Sequence, residues 1–247
     1  MYFELIDVVI GLCLLFGAIL YTSVGHAGAS IYIAIMTLFN IPSSVIKPTA
    51  LVLNIFIASF TSWRFIQKGF FDLKVLFPIA LGAIPFSFLG GYINAPSHIY
   101  KSIVGMILLI SAVSLLTNLS KKIDKNLKKP PFFPAVLIGS CIGFLAGLTG
   151  TGGGIFLSPL ILFLGWSSTK TTSGITALFI LINSSFGLLG NYSSVQNLPT
   201  ELPLFIGATL IGALIGTTLG IKFYTANTIK KVLALVLVIA SFKLLLT

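Results

Sequence analysis

The sequence predicts an all-α polytopic membrane protein built from two inverted-topology repeats, each a broken or re-entrant helix pair followed by three transmembrane helices. Three observations predict it: too little charge for a water-facing surface, apolar runs of membrane-spanning length, and one order of segments met twice. Of 247 residues, 56% are apolar and only 8% charged, where soluble domains carry about a quarter charged. Fifteen basic and five acidic side chains cannot coat a chain of 26.3 kDa, and the mean hydropathy of +1.08 agrees. A soluble enzyme, a nucleic-acid reader and a disordered tail are thereby excluded. The net charge of +10 reads as loop charge facing the cytoplasm rather than as a nucleic-acid footprint. Cys13 and Cys141 lie inside apolar runs and form neither a disulfide framework nor a zinc pattern. The first seven residues hold Glu4 and Asp7 but no Lys or Arg, so the first apolar run is expected to stay as a membrane segment rather than be cleaved.

A helix that crosses a bilayer needs about 20 apolar residues, because every backbone polar group must be paired internally. Apolar stretches fall at 5–21, 31–41, 49–63, 73–93, 102–119, 134–148, 155–166, 174–190, 202–221 and 229–246. The runs at 31–41 and 155–166 are too short to cross, and each follows a glycine-rich break, GHAGAS (25–30) or TGTGGG (149–154). Charge decides what the breaks do. If each merely interrupts a crossing helix, the basic residues divide nine to six between the two faces. If the chain turns back at each break, they divide twelve to three, with only Lys47, Lys101 and Lys243 outside. The positive-inside rule selects the second arrangement, with both termini outside the cytoplasm.

The lysine-rich stretch KKIDKNLKKPPFFP (121–134) then reads as a cytoplasmic linker that sets orientation, stiffened by Pro130, Pro131 and Pro134; a role in binding anionic lipid is the lesser reading. The chain divides into a first repeat (1–119), a basic linker (120–133) and a second repeat (134–247). Local strings echo between the halves: TALVLN (49–54) returns as TALFILIN (176–183), and Ser43-Ser44 as Ser167-Ser168. Halves that enter the bilayer from opposite sides are the sequence pointer to an alternating-access transporter.

Consecutive glycines cost a helix about 1 kcal/mol each relative to alanine, so Gly152, Gly153 and Gly154 imply unusual dihedrals or a close backbone approach. After each break a short helix begins, offering free N–H groups and the positive end of its dipole. Two such ends near the midplane would bind a small anion without any lysine. The expected substrate-binding set is Ser23, Gly25, His26, Gly28, Ser30 and Asn54 in the first half, and Thr149, Gly150, Thr151, Gly152, Gly153, Gly154 and Asn183 in the second; Thr22 adds a further hydroxyl. The alternative for the glycines is close helix packing. No Asp or Glu lies inside the core of an apolar run, since Asp7, Asp72 and Glu201 sit at run ends and Asp124 in the basic linker. This argues against a carboxylate-based sodium site or proton relay and against a di-metal enzyme, and no catalytic residue, metal or cofactor is expected. His26 either couples transport to protons or hydrogen-bonds a carbonyl left open by the break. Asn54 and Asn183 either bond between helices or line a cavity. The cysteines are packing residues or soft contacts to a sulfur-bearing cargo. His98 sits in an outer loop, and Trp63, Arg64 and Tyr192 read as interface anchors. An intramembrane serine hydrolase using Ser23 or Ser30 with His26 lacks an acidic partner.

The strings TGTGGGIFLSPLILF (149–163), with its G-x-G-G-G-x(4)-P pattern from Gly150 to Pro159, GHAGASIYIA (25–34) and PTALVLNIFIASFTSWRF (48–65) resemble the TauE/SafE family of sulfite and sulfonate exporters over essentially the whole chain. The resemblance implies a multi-pass permease of the bacterial inner membrane for a small sulfur-containing anion such as sulfite, thiosulfate or an organosulfonate. His26, Ala27 and Ala29 stand where the family's pattern has glycines. The expected partners are a small anionic substrate and the lipid bilayer, with no nucleic acid; a passive anion channel is the alternative to alternating access.

Overall fold

In a computed structural model, which describes residues 4–93, 109, 113 and 127–246, the protein is all helical. Among the described residues there are nine α-helices and no strand: α1 (Leu5–Thr22), α2 (Ala29–Leu38), α3 (Ser43–Gln67), α4 (Leu73–Tyr92), α5 (Phe132–Thr149), α6 (Gly154–Leu164), α7 (Thr169–Gly190), α8 (Leu202–Thr218) and α9 (Ala226–Leu246). A 3-10 turn, Tyr192–Asn197, precedes α8, and a π turn, Leu219–Phe223, extends it. Six of these elements, α1, α3, α4, α5, α7 and α8 with its π turn, are long and apolar enough to cross a membrane. The expected crossing at 102–119, apart from residues 109 and 113, lies outside the described residues, as do His98, Lys101, Lys121, Lys122 and Lys125.

Two helices begin earlier than their apolar runs. The first turns of α3 and α7 are polar, Ser43-Ser44 and Lys47 in one and Thr169 to Ser173 in the other, so hydropathy alone leaves them out. Local bonds hold these turns: Thr49 Oγ1 donates to the Val45 carbonyl at 2.6 Å, and Ser168 caps α7 by accepting the Thr171 N–H.

At both breaks the chain turns back. A Cβ on Gly17 of α1 would lie 2.8 Å from the Ile31 side chain of α2, and Ile10 and Leu14 share one apolar cluster with Ile35 and Met36. In the second half the Lys128 N–H, just before α5, donates to the Gly165 carbonyl at the end of α6 at 2.8 Å. The short helix therefore returns to the end from which its predecessor set out.

Glycine stripes bring α5 onto α4 and α8 onto α1. Gly139, Gly143 and Gly147 of α5 meet the backbone of Ile79, Ala83 and Ser87 of α4 in the same order, so α4 and α5 are parallel. Gly212, Gly216 and Gly220, along α8 and its π turn, meet Leu15 and Ile19 of α1 and then Ser23 likewise. Such four-residue spacings of small residues let membrane helices approach to backbone contact. Replacing Gly143 by valine would put Cβ 2.5 Å from the Ala83 carbonyl oxygen. Gly143→Val is expected to lower the melting temperature in detergent, at an overpacking cost of about 1–3 kcal/mol. Gly207→Ala, with nothing within 4 Å of its Cβ, is expected to melt like the wild type; equal melting of all three proteins would contradict the stripe.

Candidate functional site

The two breaks leave helical geometry through glycines with positive φ: Gly25 (82°) and Gly28 (106°) in the first, Gly150 (75°), Gly152 (75°) and Gly153 (80°) in the second. An L-residue with a Cβ pays about 1–2 kcal/mol for that conformation. Gly28 and Gly153 are the N-cap residues of α2 and α6. Having no side chain, neither can cap its helix with one; the Ile31 and Phe156 N–H groups bond the Gly28 and Gly153 carbonyls, and the remaining first-turn amides need other partners.

One side chain joins the breaks. Asn54, fully buried in α3, accepts the Ala29 N–H at the start of α2 through Oδ1 at 3.2 Å. Its Nδ2 donates to Ser184 Oγ of α7 at 3.1 Å. The same Nδ2 lies 2.5 Å from where a Cβ on Gly152 would stand, and Ser184 Oγ lies 2.9 Å from that point. Backbone of the second break thus packs directly on the amide that holds the first.

His26 adds a second junction. Its ring stands beside the backbone of Gly154, the first residue of α6, with Nδ1 3.3 Å from the Val24 carbonyl and its face edge-on to Tyr21. Its Nε2 is buried without a hydrogen-bond partner among the described residues. Around these, Ser30 Oγ donates to the Tyr21 hydroxyl at 2.8 Å, and Thr149 and Thr151 share a hydroxyl contact of 2.7 Å. Thr22 and Ser23 spend their donors on the Ala18 and Leu20 carbonyls of their own helix. Gly25 lies against the Ser173 backbone of α7, and Gly150 against the stem of Lys47.

Asn183 stands apart from this network. Its carbonyl accepts Ser87 Oγ at 2.7 Å, while both polar atoms of its side chain are buried without a partner among the described residues. Sequence reading missed Ser184, the buried hydroxyls of Tyr21 and Tyr32, and a polar face on α7. Tyr32 donates to the Ala27 carbonyl of the first break, and Ser158 of α6 meets Thr176 of α7 at 2.7 Å. The spacing of Thr169, Thr172, Ser173, Thr176, Asn183 and Ser184 at three, four and seven residues was the available signal. A cavity of about 320 Å³ lies elsewhere, where α4 and α7 begin, lined among others by Asp72, Lys74, Lys128, Lys129, Ser168 and Thr171.

The family model described as Sulfite exporter TauE/SafE matches residues 9–244, a span that takes in both breaks. The chain belongs to the TauE/SafE family. It is 36% identical over 231 residues to a Sinorhizobium fredii protein named "Probable membrane transporter protein y4hK", covering 92% of this chain and 94% of that one. It is 25% identical over 243 residues to a Bacillus subtilis protein named "Probable membrane transporter protein YjnA", covering 90% and 92%. No solved structure gives a significant match. The chain is therefore a membrane transporter of the TauE/SafE family.

In this TauE/SafE chain Asn54→Leu would strip the Ala29 N–H and Ser184 of their shared partner. Leaving buried polar groups unmet costs about 1–3 kcal/mol, so a lower melting temperature in detergent is expected, with Ser59→Ala, whose hydroxyl bonds only its own helix, unchanged.

Proposed function

We propose that the protein carries a small sulfur-containing oxyanion, such as sulfite, thiosulfate or an organosulfonate, across the membrane by alternating access, with the anion held between the two breaks. The observation that carries this reading is the Asn54 junction: one amide contacts the start of α2 and packs on the backbone of the second break. Helix N-termini and glycine backbone are suited to anions because they present N–H donors with partial positive charge and no bulk. A site made of amides and hydroxyls also holds its guest without the strong charge that would slow release. Neutral donors and an oxyanion together give hydrogen bonds of the charge-assisted kind, the stronger class.

Two further features support a carrier. His26, Asn54 and Ser184 are all buried, as an occluded state requires and a standing pore does not. The opening helix of each half packs in parallel on the second full-length helix of the other, α1 on α8 and α5 on α4. That exchange of partners is what two inverted halves related by a pseudo-twofold axis would make, and rocking of such halves is the common route to alternating access.

The test is counterflow of sulfite, thiosulfate and sulfoacetate in liposomes holding the purified protein. Saturable, trans-stimulated exchange of at least one is expected; a steady ionic current without trans-stimulation would identify a channel instead. Gly152→Val, which forces a β-branched residue to positive φ against Asn54, Ile180 and Ser184, is expected to abolish exchange while leaving protein in the membrane. Normal flux in that variant would move the site elsewhere. If His26 takes part in proton coupling, His26→Gln flattens the pH dependence of exchange; an unchanged profile restricts His26 to a structural bond.

A further inference from the structure

Each full-length helix that follows a short one opens with a lysine whose ammonium reaches the end of another helix. Lys47, in the first turns of α3, donates through Nζ to the Gly91 carbonyl at the end of α4, at 3.1 Å. Lys170, the second residue of α7, donates to the Ile221 carbonyl in the π turn that extends α8, also at 3.1 Å. Lys170 also stands 5.3 Å over the Phe70 ring. Among the described residues neither ammonium is paired with a carboxylate.

The two lysines sit at opposite ends of the site. α3 and α7 are antiparallel, because Asn54 meets Ser184 while Phe65 and Phe70 meet Gly174. From the Asn54–Ser184 contact it is about 10 Å back along α3 to Lys47 and about 21 Å back along α7 to Lys170, at roughly 1.5 Å per residue. Together these lengths match the hydrocarbon core of roughly 30 Å, which puts one ammonium near each interface.

Each lysine also adjoins a break. The Lys47 stem lies 3.2 Å from the Cβ position of Gly150, which itself has a positive φ of 75°. Gly25 of the first break lies on the backbone of Ser173, about one turn beyond Lys170. Beside Lys170, the hydroxyls of Thr169 and Thr172 are buried at 3% and 1% exposure without a partner among the described residues. A half-buried ammonium that meets a carbonyl and no carboxylate among the described residues, with unsatisfied hydroxyls beside it in the case of Lys170, is a costly arrangement for packing alone. It becomes favourable when an anion passes, since fixed positive charge at a mouth concentrates anions there.

We propose that Lys47 and Lys170 are paired anion-receiving residues, one at each mouth, that pass a small oxyanion to the amides and hydroxyls of the breaks. The proposal rests on the transport reading above and assigns the entry steps of that same site. The competing role is mere capping of two helix ends, and the sidedness of the kinetics separates the two. In liposomes with uniformly oriented protein, KM for sulfite, or for thiosulfate or sulfoacetate if wild type exchanges that instead, is measured from each face. Lys47→Gln is expected to raise KM about tenfold from one face and Lys170→Gln about tenfold from the opposite face, the size of a lost charge-assisted bond. Lys47→Arg and Lys170→Arg are expected to restore most of the affinity. KM unchanged, or raised equally from both faces, with wild-type exchange intact overturns this proposal alone. Absence of exchange by wild type for all three anions overturns the transport reading and this one with it. Should Lys47→Gln fail to fold, Lys170→Gln decides the matter from the other face.

Discussion

A backbone that leaves helical geometry inside a bilayer must find a partner for every N–H and C=O it frees, because hydrocarbon offers none. Asn54 is where this chain meets that demand. Its amide takes up the first N–H of α2, reaches Ser184 on α7 and lies against Gly152. Removing it leaves donors exposed on one side and a void beside the second break on the other. Asn54 thus ties the start of α2 to α7 and packs on the second break, where Thr149 Oγ1 accepts the Thr151 N–H. Tyr32 performs a lesser share by donating to the Ala27 carbonyl, and Ser30 secures Tyr21.

The scaffold around this junction is held by close approach rather than by charge. The α4–α5 and α1–α8 contacts bring glycines onto facing backbone, where dispersion and weak polar contacts replace the hydrophobic drive that lipid cannot supply. Both contacts pair a helix from one half with a helix from the other. Arg64 provides a polar tie of the same kind, donating to the Leu214 carbonyl and to Thr217 and Thr218 of α8. On the proposed alternating-access reading, these pairs would move together about the polar centre.

Much of this was legible in the sequence. Low charge and apolar runs predict the helices, and the lysine distribution selects the turn-back at each break, now visible in the Gly17–Ile31 and Lys128–Gly165 contacts. The glycine triplet at 152–154 announces positive φ, which Gly152 and Gly153 adopt. What stayed hidden depends on register between distant helices. The echo of TALVLN in TALFILIN suggests matched roles for Asn54 and Asn183, yet the inserted residues displace Asn183 from the junction, and Ser184 faces Asn54 instead. Periodicity cannot say which of two neighbouring polar residues turns toward a partner 130 positions away. Likewise Ser23 looked like a free hydroxyl beside the break but bonds the turn before it, a local choice that composition does not reveal.

The claim on which the rest depends is that one anion sits between the two breaks. Cryo-electron microscopy of the purified protein with and without an anion that it exchanges tests this most directly. Added density is expected within hydrogen-bonding reach of Asn54, the Gly152–Gly154 backbone and the start of α2. Density only in the lysine-lined cavity where α4 and α7 begin, or two breaks separated from each other, would contradict it.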